Sequence, residues 1–343
     1  MTSHRTSLGV VRAVGVSTAI AMVVVLAALP GCSRAPEPNA AISVKRQIGE
    51  GGLQPGQFAY PRAIAAHDRW LFVVDKSARI QRIDANTGKV VAHWRTPESA
   101  LGKPTGITVA PGPDGSPALY VADTHYHRVL IYDIPSEPAA PHPLIAQFGK
   151  LGEEPGQLGW VTDVAVQTDD QGLPERIFVS EYGGADKVSV FDADHNFLFR
   201  FGAFGAGDDA QFDRPQSIAL TPDQSELIIA DSCNHRVGRF TTDGELIAWV
   251  GGPEMFTYPY GLEMLTDGTV LVAEFGAGRI HHLDLNTGAT LGAYGQPGRG
   301  AGQLAQPWGI SAIGKTAFVL DSGNNRVLSF RCPGGGGSGG GLF

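Results

Sequence analysis

Three histidines stand where a transition metal could use them. His125 and His127 flank a single turn residue, and His235 lies in a similar loop further along. Three imidazoles can hold zinc and leave a position open for chemistry. Asp163, in Val161-Thr-Asp-Val, offers one carboxylate to a cation such as calcium, which needs several more oxygens. Calcium and zinc are therefore the cofactors the sequence leaves open. His281 and His282 are adjacent in a β-type run and point to opposite faces, so they cannot share one ion there. A different chemistry is offered by Trp160, Tyr182, Tyr258, Tyr260 and Trp308, with Arg62 and Gln216 as polar company. Flat rings beside a guanidinium and an amide suit a peptide or a sugar. The chain contains no Gly-x-Ser-x-Gly elbow, no His-Glu-x-x-His helix and no phosphate-cradling glycine loop.

An internal repeat must position these residues. A short β-rich run ending in an acid recurs as Leu71-Phe-Val-Val-Asp75, Leu119-Tyr-Val-Ala-Asp123, Ile177-Phe-Val-Ser-Glu181, Leu227-Ile-Ile-Ala-Asp231, Val270-Leu-Val-Ala-Glu274 and Ala317-Phe-Val-Leu-Asp321. A base follows each: Arg79, Arg128, Lys187, Arg236, Arg279 and Arg326. Repetition in every unit points to a structural pair, since one ligand rarely needs six copies. Upstream of each acid comes Pro61-Arg-Ala-Ile, Pro104-Thr-Gly-Ile, Val161-Thr-Asp-Val, Pro215-Gln-Ser-Ile, Pro259-Tyr-Gly-Leu or Pro307-Trp-Gly-Ile. Four units carry a Gln-apolar pair before that, at Gln57, Gln157, Gln211 and Gln303. Turns such as Asn86-Thr-Gly88 and Asn286-Thr-Gly288 separate the last two strands.

Each unit thus reads as four short strands without helical patterns, the composition of a propeller blade. The expected fold is an all-β, six-bladed propeller of four-stranded blades. The sixth unit stops one strand short after Arg326-Val-Leu-Ser-Phe-Arg331, and Ile42–Ile48 supplies a matching strand at the start of the chain. Closing the ring in this way removes the open sheet edges. The residue after each marker should begin the innermost strand at one mouth of the central channel. These residues are Arg62, Thr105, Thr162, Gln216, Tyr260 and Trp308. They differ while the frame around them repeats, so specificity is expected there. Loops on the same face bring Tyr182, His125, His127, His235 and Phe275.

The combination of Gly-Gln-Phe, Pro-x-Gly-Ile, Tyr-Val-Ala-Asp and Asn-x-Arg-Val resembles NHL repeats over about residues 42–332, with clear versions at Ala230–Arg236 and Leu320–Arg326. The chain is also similar in scaffold to the peptide-amidating lyases. In that family zinc-binding histidines occupy the position after the marker, and an acid beside one of them helps hold calcium. None of the six residues here is a histidine, whereas Asp163 sits one residue further on.

Residues 1–31 have the layout of an export signal: His4, Arg5 and Arg12, an apolar stretch from Ala13 to Leu29, then Leu29-Pro-Gly-Cys32. The last four residues resemble the lipobox of bacterial lipoproteins, which implies lipidation of Cys32. Residues 32–41 read as a tether, 42–332 as the propeller and 333–343 as a glycine-rich tail. The location expected is the cell envelope outside the cytoplasmic membrane, in the outer membrane or periplasm if the envelope has two membranes. Membrane contact would run through the lipid alone. The formal charge of −8 and the lack of any Lys/Arg run disfavour nucleic acid. Cys233 and Cys332 fall in non-adjacent units and should be unpaired. The expectation is a binding module for a peptide, protein or glycan rather than an enzyme. Its rival is a metal-dependent lyase or hydrolase on the same face.

Overall fold

The structure is a computed structural model; it describes residues 42–332 apart from 185 and 208. The leader, the tether with Cys32 and the glycine-rich tail lie outside the described residues. Six four-stranded antiparallel sheets form the blades. Blade 1 runs from Pro61 to Arg95, blade 2 from Gly106 to Phe148 and blade 3 from Trp160 to Phe201. Blade 4 runs from Pro215 to Gly251 and blade 5 from Pro259 to Tyr294. Blade 6 takes three strands from Pro307 to Arg331 and its fourth, Val44–Ile48, from the chain start. That strand pairs antiparallel with Arg326–Arg331, Ile48 opposite Val327. The innermost strands neighbour one another in sequence order, and blade 6 returns to blade 1.

Burial follows strand position. The second strand of each blade carries a mainly apolar, buried run ahead of its acid because both its faces pack on neighbouring blades, as in Leu71-Phe-Val-Val, where every side chain is buried. The fourth strands lie at the rim and are largely accessible, as in Leu144–Phe148. Gly88 and Gly288 adopt positive φ in the turns before the fourth strands, where a side chain would be strained.

The Gln-apolar pairs are loop devices. Each Gln side-chain oxygen accepts a backbone amide of its own loop: Gln54 for Gln57, Glu154 for Gln157, Gly207 for Gln211 and Gly300 for Gln303. The apolar partners Phe58, Leu158, Phe212 and Leu304 are buried beneath, each side chain contributing about 1.5–3 kcal/mol.

The acid–base pairs are structural, as their repetition implied. Asp75–Arg79, Asp123–Arg128, Asp231–Arg236, Glu274–Arg279 and Asp321–Arg326 meet at 2.6–2.9 Å, and Glu181–Lys187 at 3.9 Å. The free end of the base clamps the loop leading into its own blade, as Arg236 does by donating to the carbonyls of Gly207 and Gln211. Among the described residues Cys233 and Cys332 are unpaired thiols.

Candidate functional site

The inner strands surround a channel with a cavity of about 380 Å3. Two residues after each marker the side chains are Ala63, Gly106, Asp163, Ser217, Gly261 and Gly309, all lining it. Small residues keep the channel open and let the strands approach. A Cβ on Gly106 would come within 2.4 Å of both Asp163 Oδ1 and the Thr162 carbonyl oxygen. Five inner strands carry a register shift just inside the mouth, between the marker and the residues that follow. Such bulges re-aim side chains, and in blades 1, 4, 5 and 6 they accompany a residue after the marker that lines the cavity.

Arg62, Thr105, Gln216, Tyr260 and Trp308 line this cavity. Thr162 does not. It is fully buried between blades 3 and 4, with its hydroxyl bonded to Ser180 and to the Pro215 carbonyl. Thr105 reaches the wall, but its hydroxyl is taken by Thr124 at 2.7 Å and the Thr162 carbonyl at 3.0 Å. Both threonines tie blades together, because a short hydroxyl side chain at this place reaches the next strand's carbonyl before it reaches the channel.

The other residues build an aromatic wall. Tyr260 stacks on Phe275 at 4.5 Å between ring centres and meets Trp308 edge-on at 5.0 Å. Tyr60 meets the other side of Trp308 at 5.9 Å. Arg62 lies over Trp308 at 4.7 Å, and Arg214 lies over Tyr182 at 5.0 Å and Tyr260 at 5.5 Å. Tyr182 therefore belongs to the rim rather than the cavity wall, with Trp160 at 5.9 Å beside it.

Arg214 escaped the sequence reading, as did Tyr60 and Lys103. They occupy the position before the marker. Tyr60, Lys103, Arg214, Tyr258 and Gln306 all precede a proline and all have φ between 52° and 68°. This left-handed geometry is uncommon for residues with side chains. It is held by hydrogen bonds from the residue after the repeated acid: Lys76 donates to the Tyr60 carbonyl, Ser232 to Arg214 and Phe275 to Tyr258. The acid fixes the same turn, as Asp231 does by accepting the Asp213 amide at 2.7 Å. The signal in the sequence was variation beside an invariant-looking frame, the same signal used for the position after the marker.

The donors at the mouth are not balanced by acceptors. Arg62 Nε, Gln216 Nε2 and Trp308 Nε1 are buried without a hydrogen-bond partner among the described residues. Among the described residues the Arg214 guanidinium donates only to Gln216 Oε1, at 3.0 Å. Among the described residues no carboxylate lies within 4.0 Å of the side-chain nitrogens of Arg62, Lys103 or Arg214. Asp186 is near but accepts the Arg214 and Gly183 backbone amides. Burial lowers the Arg62 guanidinium, and Arg214 adds to that while nearby tyrosines oppose it. Burial, then Lys103 and Arg62, lower the His125 imidazole.

Two carboxyl groups lie in the channel wall. Asp163 accepts Ser217 Oγ at 2.7 Å and the Ile218 amide at 3.2 Å, and burial pushes it up to about 7. Glu263 accepts the Ala312 amide at 2.9 Å, and burial pushes it up to about 8. Both acids are held by neutral donors, and burial favours their protonated forms. The three-histidine site does not form. His127 Nδ1 bonds the Gly159 carbonyl at 2.7 Å, and His235 Nδ1 accepts the Tyr258 amide at 3.2 Å. These histidines latch one blade to the next, as Asn325 does by accepting the Tyr60 amide at 2.7 Å. His125 packs edge-on against Trp160 at 4.8 Å. Among the described residues no group of three or more His, Cys, Asp or Glu is placed to hold a metal ion.

Comparison with known proteins agrees with this architecture. Residues 212–240 match the NHL repeat family model. Peptidylglycine alpha-amidating monooxygenase of Rattus norvegicus is 27% identical over 143 residues, which is 41% of this chain and 14% of that protein. The chain thus aligns with only a small part of that relative's length. A structural genomics protein of unknown function from Bacteroides thetaiotaomicron superposes with a TM-score of 0.58 at 17% identity, covering 83% of this chain and 76% of that one. A streptogramin B lyase superposes at 0.54 with 13% identity, over 83% and 86% of the two chains. At such identities the likeness is one of fold. The chain is a six-bladed β-propeller, and one stretch of it, in blade 4 and the loop leading into it, matches the NHL repeat.

Proposed function

We propose that this propeller is an exported binding module, tethered to the cell envelope through a lipid on Cys32, that holds a peptide, protein or glycan across the channel mouth. Membrane contact runs through the lipid, and nucleic acid is not the partner. The observation that carries the reading is the mouth itself. Trp308, Tyr260 and Phe275 form one aromatic cluster with Arg62 above it, over a cavity of about 380 Å3. That size and mixture suit a small-molecule or chain-end ligand. The metal-dependent lyase or hydrolase, kept as rival by a partial likeness to the amidating monooxygenase, lacks a gathered ligand set among the described residues.

The test is binding of a random-sequence peptide pool and an oligosaccharide panel to the full chain, with Trp308→Leu/Tyr260→Leu alongside. The double variant should retain less than about a tenth of the ligand, in line with the loss of two aromatic anchors. Thermal unfolding confirms that the variant is folded. Retention equal to that of the parent would remove the mouth from the binding site.

A further inference from the structure

The seam where the ring closes, between blade 6 and blade 1, is packed differently from the seams after blades 1 and 4. Opposite the second residue of the apolar run, the third strand carries Arg82 in blade 1, Arg239 in blade 4 and Ser329 in blade 6. Arg82 crosses its seam to donate to the Pro135 carbonyl at 2.9 Å, and Arg239 donates to the Leu285 carbonyl at 3.2 Å. The turn met there supplies Ile134 in blade 2 and Leu285 in blade 5, both buried. At the closing seam both members are small: Ser329, and Ala85 in the corresponding turn of blade 1. They leave a cleft of about 320 Å3, a size that takes a small molecule.

The closing strand puts charge on this cleft. Each outermost strand bulges near its start, and the extra residue is Val91, Ile145, Leu198, Ile247 or Leu291 in blades 1 to 5. In blade 6 it is Lys45. The residue after it is Ala92, Ala146, Phe199, Ala248 or Gly292 in those blades and Arg46 in blade 6. Neighbours in a regular strand point to opposite faces, but the bulge lets Lys45 and Arg46 both line the cleft. Both are exposed, and among the described residues no carboxylate lies within 4.0 Å of their side-chain nitrogens. Arg69 lines the cleft too, but its guanidinium pairs with Asp84. Asp68, the acid of the lining, is 77% exposed and stands 3.6 Å from His67. Phe318, Ala85 and Ile313 give the cleft an apolar side, and Thr316, Asn86 and Ser329 add neutral polar groups.

We infer that the closing seam is a binding site for a small organic oxyanion, a compact phosphoryl or carboxylate head on an apolar body. Lys45 and Arg46 hold the head by charge-assisted hydrogen bonds, and the body lies against Phe318 and Ile313. The formal charge of −8 repels anions from the disc at large, so two unmatched bases beside an apolar surface mark a place where one can settle. The ligand touches the first strand, the rest of blade 6 and blade 1, so its binding stabilises the closed ring. The cleft shares no residue with the channel wall and is independent of the function proposed for the mouth.

The experiment titrates the full chain with phenyl phosphate, benzoate, inorganic phosphate and benzyl alcohol by calorimetry, with thermal unfolding in parallel. Phenyl phosphate or benzoate, the tighter of the two naming the head group, should bind about tenfold or more above inorganic phosphate and benzyl alcohol. It should also raise the melting temperature. Lys45→Gln/Arg46→Gln should weaken binding about tenfold or more, the worth of a charge-assisted hydrogen bond. Both side chains are exposed, so that variant keeps the parent's unfolding temperature without ligand. Ala85→Leu, which gives blade 1 the side chain blade 5 has at Leu285, should fill the cleft and abolish binding while the protein stays folded. Inorganic phosphate binding as tightly as phenyl phosphate would reduce the cleft to a charged patch and overturn the proposal. So would equal binding of benzyl alcohol, parental affinity in Lys45→Gln/Arg46→Gln, or no binding of either aromatic anion at millimolar concentration. None of these outcomes touches the reading of the mouth, which Trp308→Leu/Tyr260→Leu tests separately.

Discussion

Gly106 shows how narrowly the channel is built. It has no side chain because Asp163 and the Thr162 carbonyl occupy the space where one would go, 2.4 Å from an added Cβ. Gly106→Ala must push blade 2 away from blade 3 or displace the Asp163 carboxyl from Ser217. The expected cost is about 1–3 kcal/mol, the usual range for overpacking. Equilibrium denaturation checks it, and an unchanged midpoint would mean the strands can part freely. Thr105 and Thr162 teach the opposite lesson. Sequence placed them at the mouth beside Arg62, Gln216, Tyr260 and Trp308, and register alone could not separate the two fates. A threonine hydroxyl is short enough to be used up by the neighbouring blade, whereas the longer side chains pass beyond it.

At the level of the blade, the acid-and-base turn is the device that holds the mouth. Asp231 accepts the Asp213 amide, pairs with Arg236 and sits beside the Ser232 amide that holds the Arg214 carbonyl. Removing the acid leaves Arg236 without its partner in a site where both are buried. Asp231→Ala should therefore destabilise by about 3–5 kcal/mol, the cost of breaking a buried pair from one side. It should also loosen Arg214, so peptide retention falls in whatever fraction remains folded. Urea denaturation with a binding assay on the folded fraction reads both effects. A loss of stability with fully retained binding would separate this turn from the mouth. The same pair recurs in every blade, so its repetition was a correct guide to a structural role. The latch residues before the base were less legible. His127, His235 and Asn325 look chemically unrelated, yet each occupies the left-handed position before the base and reaches the lead-in of the next blade.

Across the whole molecule, the channel couples stability to pH. Asp163 rises from an ordinary value of 3.8 to about 7, and Glu263 from 4.5 to about 8, each mainly through burial. The unfolded chain releases these protons near pH 4, whereas the folded protein keeps them. Their contribution is complete below about pH 4 and is lost as pH rises through 7 and 8. The melting temperature should fall from pH 5 to pH 8, and Asp163→Asn/Glu263→Gln should flatten that fall. A double variant with the parent's slope would place the effect elsewhere. The sequence by itself determined the number of blades, the four strands in each, the borrowed closing strand and the structural role of the repeated pair. All of these are periodic features, and a ring of packed sheets can satisfy such a pattern in one way. What the tertiary structure alone decided is which of the non-repeated residues meet. Arg62 and Trp308 lie in different blades, as do Arg214 and Tyr182, and Asp163 and Ser217. Closing the ring brings these side chains to one axis. Left-handed turns and bulges, which have no sequence period of their own, aim them into one mouth, so the donors converge there while the histidines stay apart.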